Sequence, residues 1–301
     1  MDISEYISRY KKAYTNYISV LFKMYRITKK TNNKEIPLIK CMIRNDKRIF
    51  EATPGFISAY SYLNSASLIS EPIIRDIHVE GGKLCFRYRE YRLKFEVGVM
   101  ADIAGVFVKE QYDYLDVKDE TVIDIGASIG DSPMYFVIKR AAKVIALEPY
   151  PYSFDLAKKN IESSQLSNKI ILLNAGYGMD SKISIDTSFI PDNSSSLKER
   201  DGGPQVPIYS LKTLLSKYKI DNAILKMDCE GCEYNLLEED NDTIRRFKMI
   251  QIEYHHGYHK LVERLRKCGF LVKYTKPQRT LFKLGEVQLG YIYAQLQPEI
   301  N

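Results

Sequence analysis

Apolar side chains recur at alternating steps of four and three residues along the start of the chain, from Ile3 to Met24. This spacing places them on one side of an α-helix, so the pattern predicts one long amphipathic helix over residues 2–29. A seam of this length serves either a dimeric coiled coil or packing against a neighbouring domain, and its tyrosine and methionine content favours packing. Pro37 and Pro54 punctuate a second stretch, which is predicted to be helical up to residue 70.

Further along, the apolar positions change from helical to strand spacing. Alternation over residues 77–97, around a Gly81-Gly82 turn, predicts a small half-exposed sheet that closes an N-terminal α+β accessory module over residues 1–110. From there on, short apolar runs alternate with amphipathic helices, which predicts a second domain over residues 111–301 with a doubly wound, mostly parallel sheet of seven strands. The predicted strands are 121–126, 143–148, 169–174, 222–228, 248–254, 270–275 and 286–295.

The interval between the third and fourth of these strands is unusually long and contains the polar piece 192–196. It predicts an inserted hairpin over residues 178–208, with two interpretations: a lid over a binding site, or a surface insertion without function.

Composition excludes several classes of protein. The 301 residues are 45% apolar and 27% charged, as in an ordinary globular protein, and no apolar stretch reaches the length of a membrane span. The acidic start and the five scattered cysteines predict a cytoplasmic protein without a signal peptide.

The net charge of +6 is unevenly distributed. Residues 1–50 carry +8, from twelve basic and four acidic residues, so the rest of the chain is slightly acidic. A basic N-terminal segment suits nucleic acid, an anionic membrane surface, an acidic substrate or simply a solvated helix face.

Three consecutive strand ends carry candidate ligand-binding chemistry. The first ends in Asp124 and a glycine-bearing turn (Gly126, Ala127, Gly130, Asp131), the second in Glu148-Pro149, and the third in Asn174-Ala175. The spacing of the glycines differs from the dinucleotide fingerprint, and a carboxylate at position 124 suits an ammonium group rather than a pyrophosphate. Glu148 is placed for ribose hydroxyls and Asn174 for an adenine edge. Together they predict a site for S-adenosyl-L-methionine.

The same motifs resemble those of the FkbM family of class I S-adenosylmethionine-dependent methyltransferases. The family's DxGAxxG motif is matched from Asp124 to Gly130, its EP and KKN motifs by 148–149 and 158–160, and its KxDxEGxE motif by residues 226–233. Cys229 and Cys232 depart from the residues usual in the last motif, and residues 1–75 match no family feature. The resemblance implies methyl transfer, typically to a hydroxyl oxygen of a sugar, glycan or other small molecule.

The candidate catalytic residues follow the fourth and fifth strands: Lys226, Asp228 and Glu230, then Glu253 and His255. Carboxylates at adjacent strand ends resemble catechol-type O-methyltransferases, in which a divalent cation lowers the pKa of the acceptor hydroxyl. Two versions are open: an Mg²⁺-like ion held by Asp228 and Glu253, or His255 as a general base. For Lys226, a structural ion pair with Glu253 or Glu230 competes with a catalytic role.

Other interpretations remain beside these. Tyr112 lies in a segment that often covers the cofactor, although core packing is the usual fate of a tyrosine. The Cys229–Cys232 spacing suggests zinc, but incidental small residues explain it better because no second pair exists. The alternatives to a small-molecule O-methyltransferase are an RNA methyltransferase that uses the basic module and a non-catalytic module that binds S-adenosylmethionine or a protein partner, and the N-terminal helix could also form a homodimer.

Overall fold

A computed structural model describes residues 3–28, 37–46, 48–98, 102–191, 197–277 and 289–298. Its helices are α1 (Ile3–Ala13), α2 (Tyr17–Thr28), α3 (Pro54–Ala66), α4 (Asp131–Ile138), α5 (Pro151–Ser163), α6 (Leu211–Lys217), α7 (Asn241–Ile244) and α8 (His259–Lys267), with a π-helical turn at Ala104–Val108 and 3₁₀ turns at Ser167–Lys169 and Cys232–Leu237.

The first eight strands are β1 (Ile39–Met42), β2 (Ile49–Ala52), β3 (Ile74–Glu80), β4 (Lys83–Tyr88), β5 (Tyr91–Phe95), β6 (Thr121–Ile125), β7 (Lys143–Leu147) and β8 (Ile170–Leu173). The remaining strands are β9 (Gly176–Tyr177), β10 (Ser181–Ser184), β11 (Gln205–Tyr209), β12 (Ala223–Met227), β13 (Phe247–Tyr254), β14 (Phe270–Tyr274) and β15 (Gly290–Leu296).

The central sheet has seven strands in the order β14-β15-β13-β12-β6-β7-β8, and β15 alone runs antiparallel to its neighbours. This confirms the predicted doubly wound, mostly parallel sheet, and each predicted strand has its counterpart; positions 286–288 of the last one lie outside the described residues. The chain winds outward from β6 to β8 and then returns to β12 on the other side of β6. Such a reversal opens a crevice at the carboxyl ends of β6 and β12.

The N-terminal segment differs from the single helix predicted over residues 2–29. Two helices form, because the side chain of Asn16 is hydrogen-bonded to the backbone of β1. Its amide nitrogen donates to the Lys40 carbonyl at 3.1 Å, and its amide oxygen accepts from the Met42 N–H at 2.9 Å. Tyr10 and Tyr14 of the predicted seam are buried, and the Tyr14 hydroxyl donates to the Ile57 carbonyl of α3. The central residues of the seam, Tyr10 and Tyr14, are therefore packed inside the protein, and Tyr14 contacts α3.

The second stretch also differs from prediction, because strands precede the helix. β1 and β2 pair as an antiparallel hairpin, and α3 begins only at Pro54, where the Thr53 hydroxyl accepts from the Phe56 N–H as an N-cap. Residues 29–36, which include the predicted end of the first helix, lie outside the described part.

The three-stranded sheet β3-β4-β5, which follows α3, is fastened to the main sheet's helix α5. Buried Asn160 donates to the carbonyls of Glu96 and Ile129 and accepts from the Glu96 N–H at 2.7 Å. One continuous set of buried apolar residues also runs from Tyr10 to Ile224. The first hundred residues therefore share a core with one face of the large sheet.

The predicted inserted hairpin is present as the antiparallel pair β10–β11, which β9 extends in parallel. Its polar piece 192–196 lies outside the described residues, whereas Pro191 and Leu197 on either side reach the crevice. Among the described residues, every helix is too short or too polar to pass through a lipid bilayer.

Candidate active site

A cleft opens at the carboxyl edge of β6, β7, β12 and β13, where the sheet topology places it. It receives side chains from the main sheet, from the segment before β6 (Asp102, Val106) and from the inserted hairpin. The predicted site residues on its wall are Tyr112, Gly126, Asp131, Glu148, Pro149, Lys226, Asp228, Glu230 and Glu253.

The glycine turn after β6 is shaped first by protein contacts. A side chain at Gly126 (φ +84°) would overlap the carbonyl oxygen of Asp228, which follows β12. At Gly130 (φ +87°) an added Cβ would lie 3.2 Å from the backbone of Ala157 in α5. The two glycines thus allow β12 and α5 to pack against the turn, and only Gly126 lies on the cleft wall.

Asp124 and Lys226 form a fully buried ion pair behind the cleft. Lys226 Nζ lies 2.9 Å from Asp124 Oδ1 and donates to the Gly126 carbonyl at 2.6 Å, while the Ser132 hydroxyl donates to Asp124 Oδ2. Burial opposes the charge of Lys226, but Asp124 and Asp228 outweigh it and raise the lysine pKa. The structural partner of Lys226 is therefore Asp124, across the β6–β12 register, rather than the expected Glu253 or Glu230.

Glu148 ends β7 with its carboxylate on the cleft wall. One oxygen accepts from the Ser128 N–H at 2.9 Å and the other from the Tyr150 N–H at 3.0 Å. Burial raises its pKa to about 7, although both backbone donors favour the charged form. Each oxygen keeps a second lone pair, so the carboxylate can accept a pair of ligand hydroxyls as well.

Two more carboxyl groups face the cleft, Asp131 at the start of α4 and Asp102 before the π-helical turn. Burial raises the pKa of Asp131 to about 7 and that of Asp102 to about 6. Asp131 was predicted from the glycine motif, whereas Asp102 was missed. A lone aspartate 22 positions before the motif carries no local signal, and only its proximity to Asp131, which raises that group's pKa further, reveals it.

At the carboxyl ends of β12 and β13, the carboxylate oxygens of Asp228 and Glu253 and a ring nitrogen of His255 all lie within 4.8 Å of one another. The Tyr112 hydroxyl donates to Asp228 Oδ2 at 3.1 Å, so the predicted cover residue contacts this group directly. Burial and the charge of Asp228 raise the pKa of Glu253 to about 9. This cluster can hold a proton or a cation between its members.

His255 is held by two glutamates. Glu233, which is fully buried, accepts from the His255 backbone N–H and lies 3.0 Å from Nδ1, and Glu230 Oε2 lies 3.5 Å from Nε2. Burial lowers the pKa of His255, but these two partners outweigh it and raise the pKa to about 10. The imidazole is therefore a cation at neutral pH in this arrangement. Glu233 was identified in the motif, but sequence reasoning assigned it no role.

Four predicted cofactor residues and Asp124 stand behind the wall. Asn174 donates from its amide nitrogen to the carbonyls of Glu148 and Pro149, and so holds the end of β7. Ala127, Gly130 and Ala175 pack around the same turns, with both alanines buried. They shape the cleft from behind, and the role of Asn174 toward an adenine edge stays a prediction.

Cys229 and Cys232 are joined by a disulfide in the turn after β12. Bonded to each other, these sulfurs offer no thiolate to a zinc ion. Their bond is a feature that the incidental-residue interpretation did not anticipate.

The donor set of the cleft fits S-adenosyl-L-methionine. Glu148 offers carboxylate oxygens for ribose hydroxyls at the end of β7, and Asp131, Asp102 and Asp228 offer acidic groups to a ligand that carries a sulfonium and an ammonium group. Lys226 is the one basic side chain among the described residues that line the cleft, and it is paired with Asp124, so the lining suits a cationic ligand better than a phosphate.

Comparisons with known proteins identify a family for about half of the chain. Residues 124–272 match the profile of the family described as "Methyltransferase FkbM domain". The uncharacterized protein 158B of Sulfolobus islandicus rod-shaped virus 1 is 27% identical over 157 residues, which cover 52% of this chain and 73% of that protein.

Among solved structures, M. jannaschii TYW2 in complex with AdoMet is 15% identical with a TM-score of 0.40, covering 73% of this chain and 89% of that one. M. capricolum TrmK in complex with S-adenosyl-homocysteine is 14% identical with a TM-score of 0.40, covering 63% of this chain and 67% of that one. Because residues 124–272 match the model of the FkbM methyltransferase domain, this part of the chain belongs to the FkbM family of class I S-adenosylmethionine-dependent methyltransferases.

Proposed function

We propose that the protein transfers the methyl group of S-adenosyl-L-methionine to a hydroxyl oxygen of a sugar, glycan or other small molecule. The observation that supports this most is the cluster of Asp228, Glu253 and His255 at the cleft, whose side-chain oxygen and nitrogen atoms lie within 4.8 Å of one another. A hydroxyl is a weak nucleophile, so its methylation needs a group that removes or withdraws the proton.

When bound, S-adenosylmethionine supplies an electrophilic methyl group that needs no further activation, so the protein aligns the acceptor and handles its proton. Asp228 is the proposed proton acceptor, oriented by the Tyr112 hydroxyl. Because its pKa is raised, His255 is better suited to attract the developing alkoxide as a cation than to accept a proton as a general base.

A divalent cation is the second version of the same site. Asp228, Glu253 and His255 are suitable ligands for an Mg²⁺-like ion, which would lower the pKa of the acceptor hydroxyl. Binding would release the protons that Glu253 and His255 hold.

The charge of the cleft supports a neutral acceptor over RNA. Six acidic side chains and one lysine line the described part of the cleft, and Lys226 is already paired with Asp124, so the cleft offers little attraction to a phosphate backbone. Two basic residues of the N-terminal segment are also used internally: Arg9 donates to Ser61 and lies over the Tyr62 ring, and the Arg44 guanidinium donates to the Lys11 carbonyl.

The test measures incorporation of a labelled methyl group into RNA, glycan and small-molecule extracts. We expect label in an alkali-stable ether of a glycan or small molecule, and at least a 100-fold lower rate in Asp228→Asn, with the exposed Glu162→Gln as control. Label in RNA, or none with any extract, would contradict the proposal. Activity that is insensitive to chelator, together with full activity in His255→Ala, would reject both the metal and the histidine version.

A further inference from the structure

The disulfide between Cys229 and Cys232 lies in the turn that carries the catalytic cluster. Cys229 lies on the cleft wall, and both residues are partly exposed. The other three cysteines, Cys41, Cys85 and Cys268, are free and buried. Solution reagents therefore reach the bonded pair and not the free thiols.

The two residues inside the bridge adopt an unusual backbone. Glu230 has φ +55° and Gly231 has φ +118°. The left-handed region is unfavourable for a glutamate, and such a conformation persists only where surrounding contacts hold it. The contacts that hold the turn include the disulfide, a hydrogen bond from the Gly231 N–H to Glu233 Oε2 at 2.8 Å, and a long one from the Cys232 N–H to the Cys229 carbonyl at 3.5 Å.

This backbone turn determines where the Glu230 carboxylate lies. It places Glu230 Oε2 3.5 Å from His255 Nε2, while Glu233 holds the other ring nitrogen. Glu233 is fully buried within the fold, but Glu230 is partly exposed and depends on the turn. Opening the bridge would release Glu230 and leave Glu233 in place.

A bridge across three positions contributes little to global stability, because the entropy that a disulfide removes from the unfolded chain grows with the length of the closed loop. Its effect is therefore local to the turn. The disulfide lies beside the catalytic cluster, is partly exposed and affects only its own turn, so a general structural role does not explain it.

We propose that Cys229–Cys232 is a thiol–disulfide exchange site, at which a dithiol reductant lowers methyl transfer by releasing Glu230 from His255. A thiolate of the reductant attacks one sulfur of the bridge, which forms a mixed disulfide and releases the other cysteine as a thiolate. The second thiolate of the reductant then attacks the reductant sulfur of the mixed disulfide and releases the cysteine that was bonded to it. The protein gains two electrons and two protons as two thiols, and the reductant becomes a disulfide. The inference rests on the proposed function, because Glu230 acts here as a positioning residue for His255.

The site itself is tested without any acceptor. The full-length protein is oxidised with glutathione disulfide, desalted, and treated with N-ethylmaleimide before and after dithiothreitol, followed by mass spectrometry. We expect Cys229 and Cys232 to be labelled only after reduction, with Cys41 unlabelled in both samples. Labelling of both cysteines in the oxidised sample would overturn the inference.

Hydrogen–deuterium exchange then tests the release of the turn. Amides of residues 229–235 should exchange at least fivefold faster after reduction, and peptides covering β7 should not change. The double variant Cys229→Ser, Cys232→Ser should behave like the reduced protein, and Cys268→Ser like the oxidised wild type. Equal exchange in both redox states would also overturn the inference.

Methyl transfer completes the test. We expect at least a fivefold lower rate for reduced wild type, no response to dithiothreitol in the double variant, and a normal response in Cys268→Ser. An unchanged rate on reduction would overturn the regulatory claim. Absence of transfer in every state would contradict the proposed function instead, and the labelling and exchange results would still decide whether the site exists.

Discussion

At the scale of single residues, the buried pair Asp124–Lys226 organises the floor of the cleft. Lys226 Nζ joins the Asp124 carboxylate to the backbone of the glycine turn, so the cation ties β6 to β12 at the point where both strands end. Removal of one partner of a buried pair leaves the other charged and without compensation. The pair is therefore a structural requirement of the site, whatever it adds to catalysis.

Lys226→Met should lower the free energy of unfolding by about 3–5 kcal/mol, because Asp124 is left buried without its cation. The matched control is Lys248→Met, which removes an exposed partner of Glu120 and should cost less than about 1 kcal/mol. Urea denaturation measures both. Equal losses in the two variants would contradict this role, and the double variant Asp124→Asn, Lys226→Met should lose less than the sum of its parts.

Asp131 predicts a pH dependence of stability. Its folded-state pKa of about 7 lies above its ordinary value, so folding resists the ionisation that the unfolded chain allows. The stability that the protonated group contributes is fully present below its unfolded pKa of about 4 and is lost as the pH rises through 7. The neighbours that set this value are Asp102, which raises the pKa, and Lys226, which lowers it.

Asp131→Asn should therefore gain stability over the wild type as the pH rises, by about 2 kcal/mol between pH 5 and pH 8. Denaturant midpoints at the two pH values measure the change. A constant difference between variant and wild type would show that the carboxyl group ionises as easily in the folded protein as in the unfolded chain.

At the scale of elements, the turn between β6 and α4 allows neighbouring parts of the chain to pack closely against it. Its first glycine allows the carbonyl of Asp228 to approach from the neighbouring strand end, and the side chain of the same Asp228 lies beside Glu253. A cofactor cleft and a catalytic cluster thus depend on the same close contact.

Gly126→Ala should cost about 3 kcal/mol or more, since the added Cβ would meet the Asp228 carbonyl as well as an unfavourable φ. Gly202→Ala is the control: it has a similar φ of +77° and open space around it, so about 1 kcal/mol is expected. Thermal unfolding compares the two. Similar losses would mean that the backbone angle alone, without the strand contact, explains the glycine.

The strands were predictable because their signals are local. Short apolar runs ended by Asp124, Glu148 and Asp228 indicate buried strands and their carboxyl ends without reference to the rest of the chain. The break between α1 and α2 was not predictable, because the side chain of Asn16 is held by β1, which follows it by more than twenty residues. The partner of Lys226 likewise follows from the register of two strands a hundred residues apart.

At the scale of the whole molecule, the first hundred residues and the methyltransferase fold share one apolar core. The division at residue 110 and a homodimer through the N-terminal helices stay predictions. Asp102 and Val106 bring the N-terminal part to the cleft, and Pro191 and Leu197 bring the inserted hairpin there. These two segments are the proposed source of acceptor specificity.

Asn160 tests how the N-terminal part is attached. Asn160→Ala should lower the free energy of unfolding by about 2–3 kcal/mol, because the buried N–H and carbonyl of Glu96 lose their partner. The exposed Asn168→Ala serves as control and should change stability by less than about 0.5 kcal/mol. An equal effect of both would show that the apolar core alone holds the two parts together.

Binding of S-adenosyl-L-methionine in this cleft, with Glu148 on its ribose, is the step on which the proposed methyl transfer depends. Isothermal titration calorimetry tests it without knowledge of the acceptor, using the wild type, Glu148→Ala and the control Glu162→Ala on the exposed side of α5. We predict one binding site in the wild type and the control, and affinity at least about tenfold weaker in Glu148→Ala, since two hydrogen bonds to a charged group are lost. Absence of binding to the wild type, or equal affinity in Glu148→Ala, would contradict the account.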